Sequence, residues 1–219
     1  MSTHEIKLHG PVGHYPGVAG ATSSKAFIEE ARKRPKGAEI HLRVDSIGGD
    51  VWHGLAIHNW LRSSPARPQR TVAHLDGLAV GAALIVAFAA GTIDASEDSL
   101  LYLHPPLGVA FGNSAKLREH AVLLDRIGGG LEQLYLRARP RLSRASLAEL
   151  LKDGGRWLDP HEAKRLGLVD SVKASTNSAK NTLAGALARL PADLRASLEK
   201  AQRTPSATRI YAQYRAPTA

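Results

Sequence analysis

Apolar and polar residues alternate through Ile6, Lys7, Leu8 and His9 before Gly10-Pro11, which predicts a short strand over about residues 5–9 that ends in a turn. Ser23 and Ser24 are suited to cap a helix from about Lys25 to Arg34, and Pro35 and Gly37 stop it. Ile40, Leu42 and Val44 alternate as a second strand. After Gly48-Gly49-Asp50, the apolar residues Trp52, Leu55, Ala56 and Trp60 recur at helical spacing, with Asp50 as cap and Pro65 as stop. Thr71 to Leu75 reads as a strand, Leu78 to Ala89 as an apolar helix, and Leu100 to His104 as a further strand.

From Asn113 a long helical pattern carries Leu117, Ala121, Leu124, Ile127, Leu131 and Leu134 on one side, interrupted by Gly128, Gly129 and Gly130. Each glycine inside a helix costs about 1 kcal/mol relative to alanine, so a kink or a packing partner is expected there. Short helices at about Ser143 to Leu151 and Pro160 to Leu166, and a strand over 168–172, close the pattern. The alternation of strand and helix predicts an α/β fold. The Ser, Thr and Asn of residues 175–178 mark a linker, which divides the chain into a domain over 1–174 and a tail over 175–219, with an Ala-rich helix expected from Thr182 to Ala201.

Composition narrows the picture. With 43% hydrophobic and 22% charged residues in 219, the chain is of ordinary globular make-up and fits one substantial domain with an appendage. It has no cysteine, which excludes disulfides and thiolate chemistry and agrees with a cytoplasmic location. The first ten residues lack the blocks of a signal peptide. The longest uncharged apolar run, Gly77 to Thr92, falls short of a membrane span and reads as a buried helix, so no membrane association is expected. Of the net charge of +9, the segment from Lys173 onward holds +6, eight basic against two acidic residues. Such a tail is a candidate contact for nucleic acid or an acidic partner, although only Tyr211 and Tyr214 supply aromatic interleaving and a solvated tail is the plainer expectation.

Three segments carry the candidate chemistry: Asp45-Ser46-Ile47-Gly48-Gly49-Asp50-Val51, Asp76-Gly77-Leu78-Ala79-Val80-Gly81-Ala82-Ala83, and Leu101-Tyr102-Leu103-His104-Pro105. A Gly-Gly pair lets backbone amides point at a substrate carbonyl, and it fits an ordinary tight turn equally well. A histidine at a strand end is more often structural than catalytic. In this order, however, and followed by Arg156-Trp157-Leu158-Asp159-Pro160-His161-Glu162-Ala163 and Leu166-Gly167-Leu168-Val169-Asp170, the segments resemble the proteolytic subunits of the Clp protease family, in particular their phage-borne relatives that mature viral heads. The resemblance runs from about Ile6 to Val172.

The resemblance implies a crotonase-like core of stacked ββα units, with the long helix after Asn113 projecting as a handle that assembles subunits into six- or seven-membered rings, stacked in pairs. It also implies a serine nucleophile, a histidine base and an aspartate. His104 stands at the base. The nucleophile position is Gly81, and the acid position, two residues before Trp157, is Gly155. Asp153 is the nearest candidate to replace the acid. The amides of Gly48 and Ala82 are the implied oxyanion hole. Ser46 and Ser99 lie near but lack the helix-start placement of a nucleophile. Without its serine a triad keeps only residual catalysis, so the first expectation is a ring-forming structural or regulatory subunit without hydrolytic activity, working with an active paralogue or an unfoldase ATPase and contacting peptide or protein. The alternatives are a working endopeptidase with another nucleophile and a binding module using the basic tail; acyl-CoA chemistry rests on fold analogy alone. No metal is expected, since His4 and His14, or His53 and His58, have no carboxylate at zinc spacing. No cofactor is expected either: Gly108 to Gly112 lacks the Lys-Ser/Thr of a phosphate loop.

Overall fold

The structure, a computed structural model, describes residues 2–63 and 70–174. The expected stop at Pro65, the linker and the basic tail lie outside the described residues. Strand β1 (Thr3–His9) leads through helix α1 (Ser24–Arg32) to β2 (Glu39–Ser46), and α2 (Val51–Ser63) to β3 (Thr71–Val80). Helix α3 (Ala82–Ala87), β4 (Thr92–Ser96) and β5 (Leu100–Leu103) follow, then α4 (Ser114–Ala138), α5 (Arg144–Leu151), β6 (Arg156–Leu158), α6 (Pro160–Arg165) and β7 (Ser171–Lys173). Ser23, Asn113, Ser143 and Asp159 each cap the helix they precede through a side-chain oxygen that accepts a backbone N–H.

Strands β1, β2, β3, β4 and β7 form a parallel sheet in that spatial order. Alternate residues point to opposite faces. Ile6, Leu8, Ile40, Leu42, Val44, Ala73, Leu75, Ile93 and Ala95 are buried, and α1, α2 and α3 share that core through Phe27, Ile57, Leu61 and the residues of α3. Apart from Val72, the intervening positions are polar. There His41 Nδ1 and His74 Nε2 share a hydrogen bond of 2.9 Å, and Arg43 donates to both oxygens of Asp76 at 2.8 and 2.6 Å. Burial pushes the Asp76 carboxyl up, and the Arg43 charge and hydrogen bonds only partly offset this.

The central departure from the sequence reading is at β3. The run from Leu78 was expected to be helical, yet β3 continues to Val80 and helix begins only at Ala82. The extra stretch pairs with β5 on one edge and, through Ala79 opposite Ser46, with β2 on the other. The first half of β3, Val72 to Leu75, pairs with β4, while Leu78 to Val80 pairs with β5, so the strand changes partner at Asp76-Gly77. The Asp45 carboxylate accepts the Leu78 N–H at 2.9 Å, and a Cβ on Gly77 would strike that carboxylate. Periodicity cannot separate a buried strand from a buried helix in an Ala-rich run, and here tertiary pairing decides.

Three smaller differences follow the same logic. In α2 the buried side is Gly54, Ile57, His58 and Leu61, whereas Trp52 is 58% exposed, because the small Gly54 lets the helix approach Ala82. Strands β4 and β6 were not expected. Helix α4 runs through Gly128-Gly129-Gly130 without a break. Its C-terminal part is anchored by Leu131, Leu134 and Tyr135, all buried, while the preceding turns are largely exposed. Arg139, just after α4, is 95% buried and donates to Gly167 O at 3.0 Å and Asp170 Oδ1 at 2.8 Å; Asp170 also accepts the Ile93 N–H at 2.8 Å. The closing Leu-Gly-Leu-Val-Asp stretch thus ties the handle to the sheet. Among the described residues no helix is long and apolar enough to cross a membrane.

Candidate active site

A sharp turn at Gly81 joins the end of β3 to α3. Its φ of 48° and ψ of −108° lie where only glycine is at ease. The Gly81 N–H still donates to Tyr102 O at 3.1 Å, which continues the β3–β5 ladder up to the turn. A Cβ built at this position would sit 2.6 Å from His104 Nε2. The structure therefore brings the residue aligned with a nucleophile to the tip of the residue aligned with its base, although position 81 has no side chain.

His104 follows β5 and its ring stacks on Tyr102, with centroids 5.0 Å apart, and Tyr102 stacks on Trp157 at 4.5 Å. Its Nδ1 lies 2.7 Å from Pro105 O. A carbonyl oxygen only accepts, so Nδ1 carries the hydrogen and Nε2 presents its lone pair towards Gly81. Burial pushes the His104 pKa down and the Pro105 hydrogen bond opposes this only in part, so the ring stays neutral at neutral pH. This is the tautomer of a general base, and a backbone carbonyl rather than a carboxylate holds it.

No carboxylate of the described residues reaches His104. Asp153 is exposed and is the one non-glycine residue with a positive φ, 57°, among those described. Gly155 has a φ of 111°, and a Cβ there would lie 2.5 Å from Leu103 O and 2.7 Å from His104 Cα. The turn around Gly155 is pressed against the backbone of the base, and the Tyr102 hydroxyl donates to Gly154 O at 3.0 Å to hold it there.

The loop at Gly48-Gly49 is pinned by Val12: Val12 N donates to Gly48 O and Asp50 N to Val12 O, both at 2.8 Å. Both glycines have positive φ, and a Cβ on Gly48 would collide with Val80 O. The Gly48 amide donates to Ser46 Oγ at 3.1 Å, whereas the Gly49 amide has no partner among the described residues. Gly49 and Ala82 both line the cleft next to Gly81. The sequence offered both glycines as an oxyanion loop and the resemblance named Gly48; the doubled glycine does not say which amide is free. Ser46 Oγ donates to Gly10 O at 2.6 Å and Ser99 Oγ to Ser96 O at 2.7 Å, so both hydroxyls serve their own loops.

The cleft over these residues has a volume of about 500 Å³, the size of a small-molecule or peptide site. Trp52 and Ile47 flank it on one side, and α4 forms the other through Leu124, Ile127 and Tyr135. Where α4 lines the cleft, two polar groups have no partner among the described residues: the hydroxyl of the buried Tyr135, and His120 Nε2, which is itself buried. Burial pushes the Tyr135 phenol well up, so it is a neutral donor. The sequence marked neither. Among the described residues no group of three or more His, Cys, Asp or Glu side chains is arranged to hold a metal ion.

Comparison with known proteins agrees with this architecture. The family model for Clp protease matches residues 19–176. Among solved structures, a mutant of ClpP1 from Listeria monocytogenes aligns with a TM-score of 0.60 over 80% of this chain and 93% of that one, at 18% sequence identity. At that identity the likeness speaks for the fold, the crotonase-like α/β arrangement.

Proposed function

Because the chain belongs to the Clp protease family, we propose that it serves that family as a ring-forming structural or regulatory subunit without a hydrolytic step of its own. One observation carries the reading: glycine stands where β3 turns into α3, with its missing Cβ aimed at His104 Nε2. Hydrolysis through an acyl intermediate needs an oxygen or sulfur at that point, and removal of a triad serine leaves only what the oxyanion hole and binding supply. The base, its tautomer and the Gly49 and Ala82 amides persist, which suits a subunit that still holds peptide in the cleft.

Exposed apolar groups on and before the handle support assembly. Leu107, Val109 and Phe111 are 81%, 79% and 90% exposed, and Leu117, Val122 and Leu123 of α4 add to the same region. A contiguous apolar surface of this kind marks a protein contact. We read the partner as further copies of this chain or an active paralogue in a six- or seven-membered ring, within reach of an unfoldase ATPase. Within the family we group the chain with the phage and prophage head-maturation members, on the three segments named above, and regard it as cytoplasmic.

The test is hydrolysis of a fluorogenic peptide by the purified protein and by Gly81→Ser. A silent parent and a variant with measurable turnover support the reading. Turnover by the parent, with a fluorophosphonate labelling one of its own serines, overturns it and identifies a working endopeptidase.

A further inference from the structure

We propose that a second cleft, between the C-terminal half of α2 and the end of α4, binds an oxyanion: a carboxylate or a phosphate group carried on a small organic molecule. The cleft has a volume of about 410 Å³ and is lined by His58, Asn59, Arg62 and Ser63 from α2 and by Leu134 and Arg137 from α4. His58 and Arg62 are four residues apart and so share one side of their helix. Across the cleft, Arg137 stands one turn beyond Leu134.

The charges here are unbalanced. Elsewhere Arg43 is paired with Asp76, Arg139 and Arg141 with Asp170, and Arg156 with Glu162. Neither Arg62 nor Arg137 has a carboxylate or any hydrogen-bond acceptor among the described residues. Each lies in the last turn of its helix, where a cation offsets the partial negative charge of the terminal carbonyls. That accounts for one cation per helix end. It does not account for two that face one cleft over a buried histidine.

His58 forms the floor and is 4% exposed. Its Nδ1 donates to Ile85 O at 2.8 Å, so Nε2 is the free ring nitrogen, and it has no partner among the described residues. The groups that bear on this ring are Arg62 from α2 and Arg137 from α4, while α3 presents only the Ile85 carbonyl. Burial chiefly, and then the two guanidinium charges, push the His58 pKa down, against the raising effect of the Ile85 hydrogen bond. An anion between the arginines reverses the second influence and, on protonation, receives an Nε2–H donor as well. Two guanidinium forks, the Asn59 amide, the Ser63 hydroxyl and the imidazolium then surround it with donors, the recognition chemistry of carboxylate and phosphate. The volume exceeds that of a bare ion, which is why the group is placed on an organic carrier. Ile85, whose carbonyl accepts from His58, and Tyr135, the neighbour of Leu134, line the cleft at Gly81, so the two clefts are adjacent.

The experiment is calorimetric titration and thermal unfolding of the full chain with inorganic phosphate, phenyl phosphate, acetate and succinate against sodium chloride at equal ionic strength. Expected is saturable binding of at least one phosphate or carboxylate probe, at least tenfold weaker in Arg62→Gln/Arg137→Gln and in the single exposed-site variant Arg137→Glu, unchanged in Arg126→Gln, and tighter at pH 6 than at pH 7.5 with net proton uptake. Preference for phenyl phosphate over succinate, or the reverse, assigns the carrier's group. No saturable binding of any probe, or affinity retained when the two arginines are removed, overturns the proposal. Neither result depends on peptide hydrolysis, so this site and the reading of the Gly81 cleft stand or fall separately.

Discussion

The turns at Gly81 and Gly155 meet the same histidine from different ends. At Gly81 a Cβ would meet the tip of the imidazole, a side chain, at 2.6 Å; at Gly155 it would meet main chain, the Leu103 carbonyl at 2.5 Å and the Cα of His104 at 2.7 Å. Both have positive φ and both stand at positions that the proposed reading aligns with catalytic side chains, yet only at Gly81 is the obstacle a side chain rather than main chain. The difference teaches that a side chain at position 81 asks another side chain to give way, whereas one at position 155 asks the main chain to move.

The largest effect should come from Gly155→Asp. Forcing a side chain against main chain costs about 3 kcal/mol, roughly a hundredfold in the folding equilibrium, read as a fall in the chemical-denaturation midpoint. If the variant is as stable as the parent and peptide hydrolysis rises in its combination with Gly81→Ser, the contrast between the two turns is wrong. Next comes Gly81→Ser alone, expected to raise peptide hydrolysis at least tenfold above background. Adding His104→Ala should erase that gain, which ties it to the base rather than to altered packing.

A smaller effect is expected for Tyr102→Phe, which removes the hydrogen bond to Gly154 O and costs about 1 kcal/mol; faster amide exchange at 153–155 would show that this bond holds the Gly155 turn against His104. The smallest is with pH. Burial keeps His58, His74 and His104 below the ordinary histidine value, so the unfolded chain takes up protons first as pH falls below about 6.5. These groups support folding fully above that value and progressively less below it. Tm should therefore be lower at pH 5.5 than at pH 7.5, and less so in His104→Gln.

Much of this was legible in the sequence. The caps at Ser23 and Asp50, the helix starts at Asn113 and Ser143 and the alternation in β1 and β2 depend on neighbours along the chain, and those elements stand where they were expected. Asp50 Oδ1, for example, accepts the Trp52 N–H at 2.7 Å. That positions 81, 104 and 155 lie together was implied by the family resemblance and by no spacing in the chain; in the fold a Cβ at either glycine falls against His104. What the pattern missed depends on distant partners: the strand at Leu78 to Val80 exists because β5 pairs with it, β6 because it finds β5, and the exposure of Trp52 because α2 turns Gly54 and Ile57 inward. The choice of Gly49 over Gly48 as the free amide rests on where Ser46 Oγ points, which no spacing reveals.

The stack of Trp157, Tyr102 and His104 also has an optical consequence. One of the three tryptophans of the chain closes that column, and another, Trp52, stands at the rim of the same cleft. Indole emission responds to polarity and to nearby charge, so an arriving peptide or a moving imidazole changes the light the protein gives off. The cleft carries its own fluorescent reporters, and its occupancy can be followed without a dye, a substrate or any turnover at all.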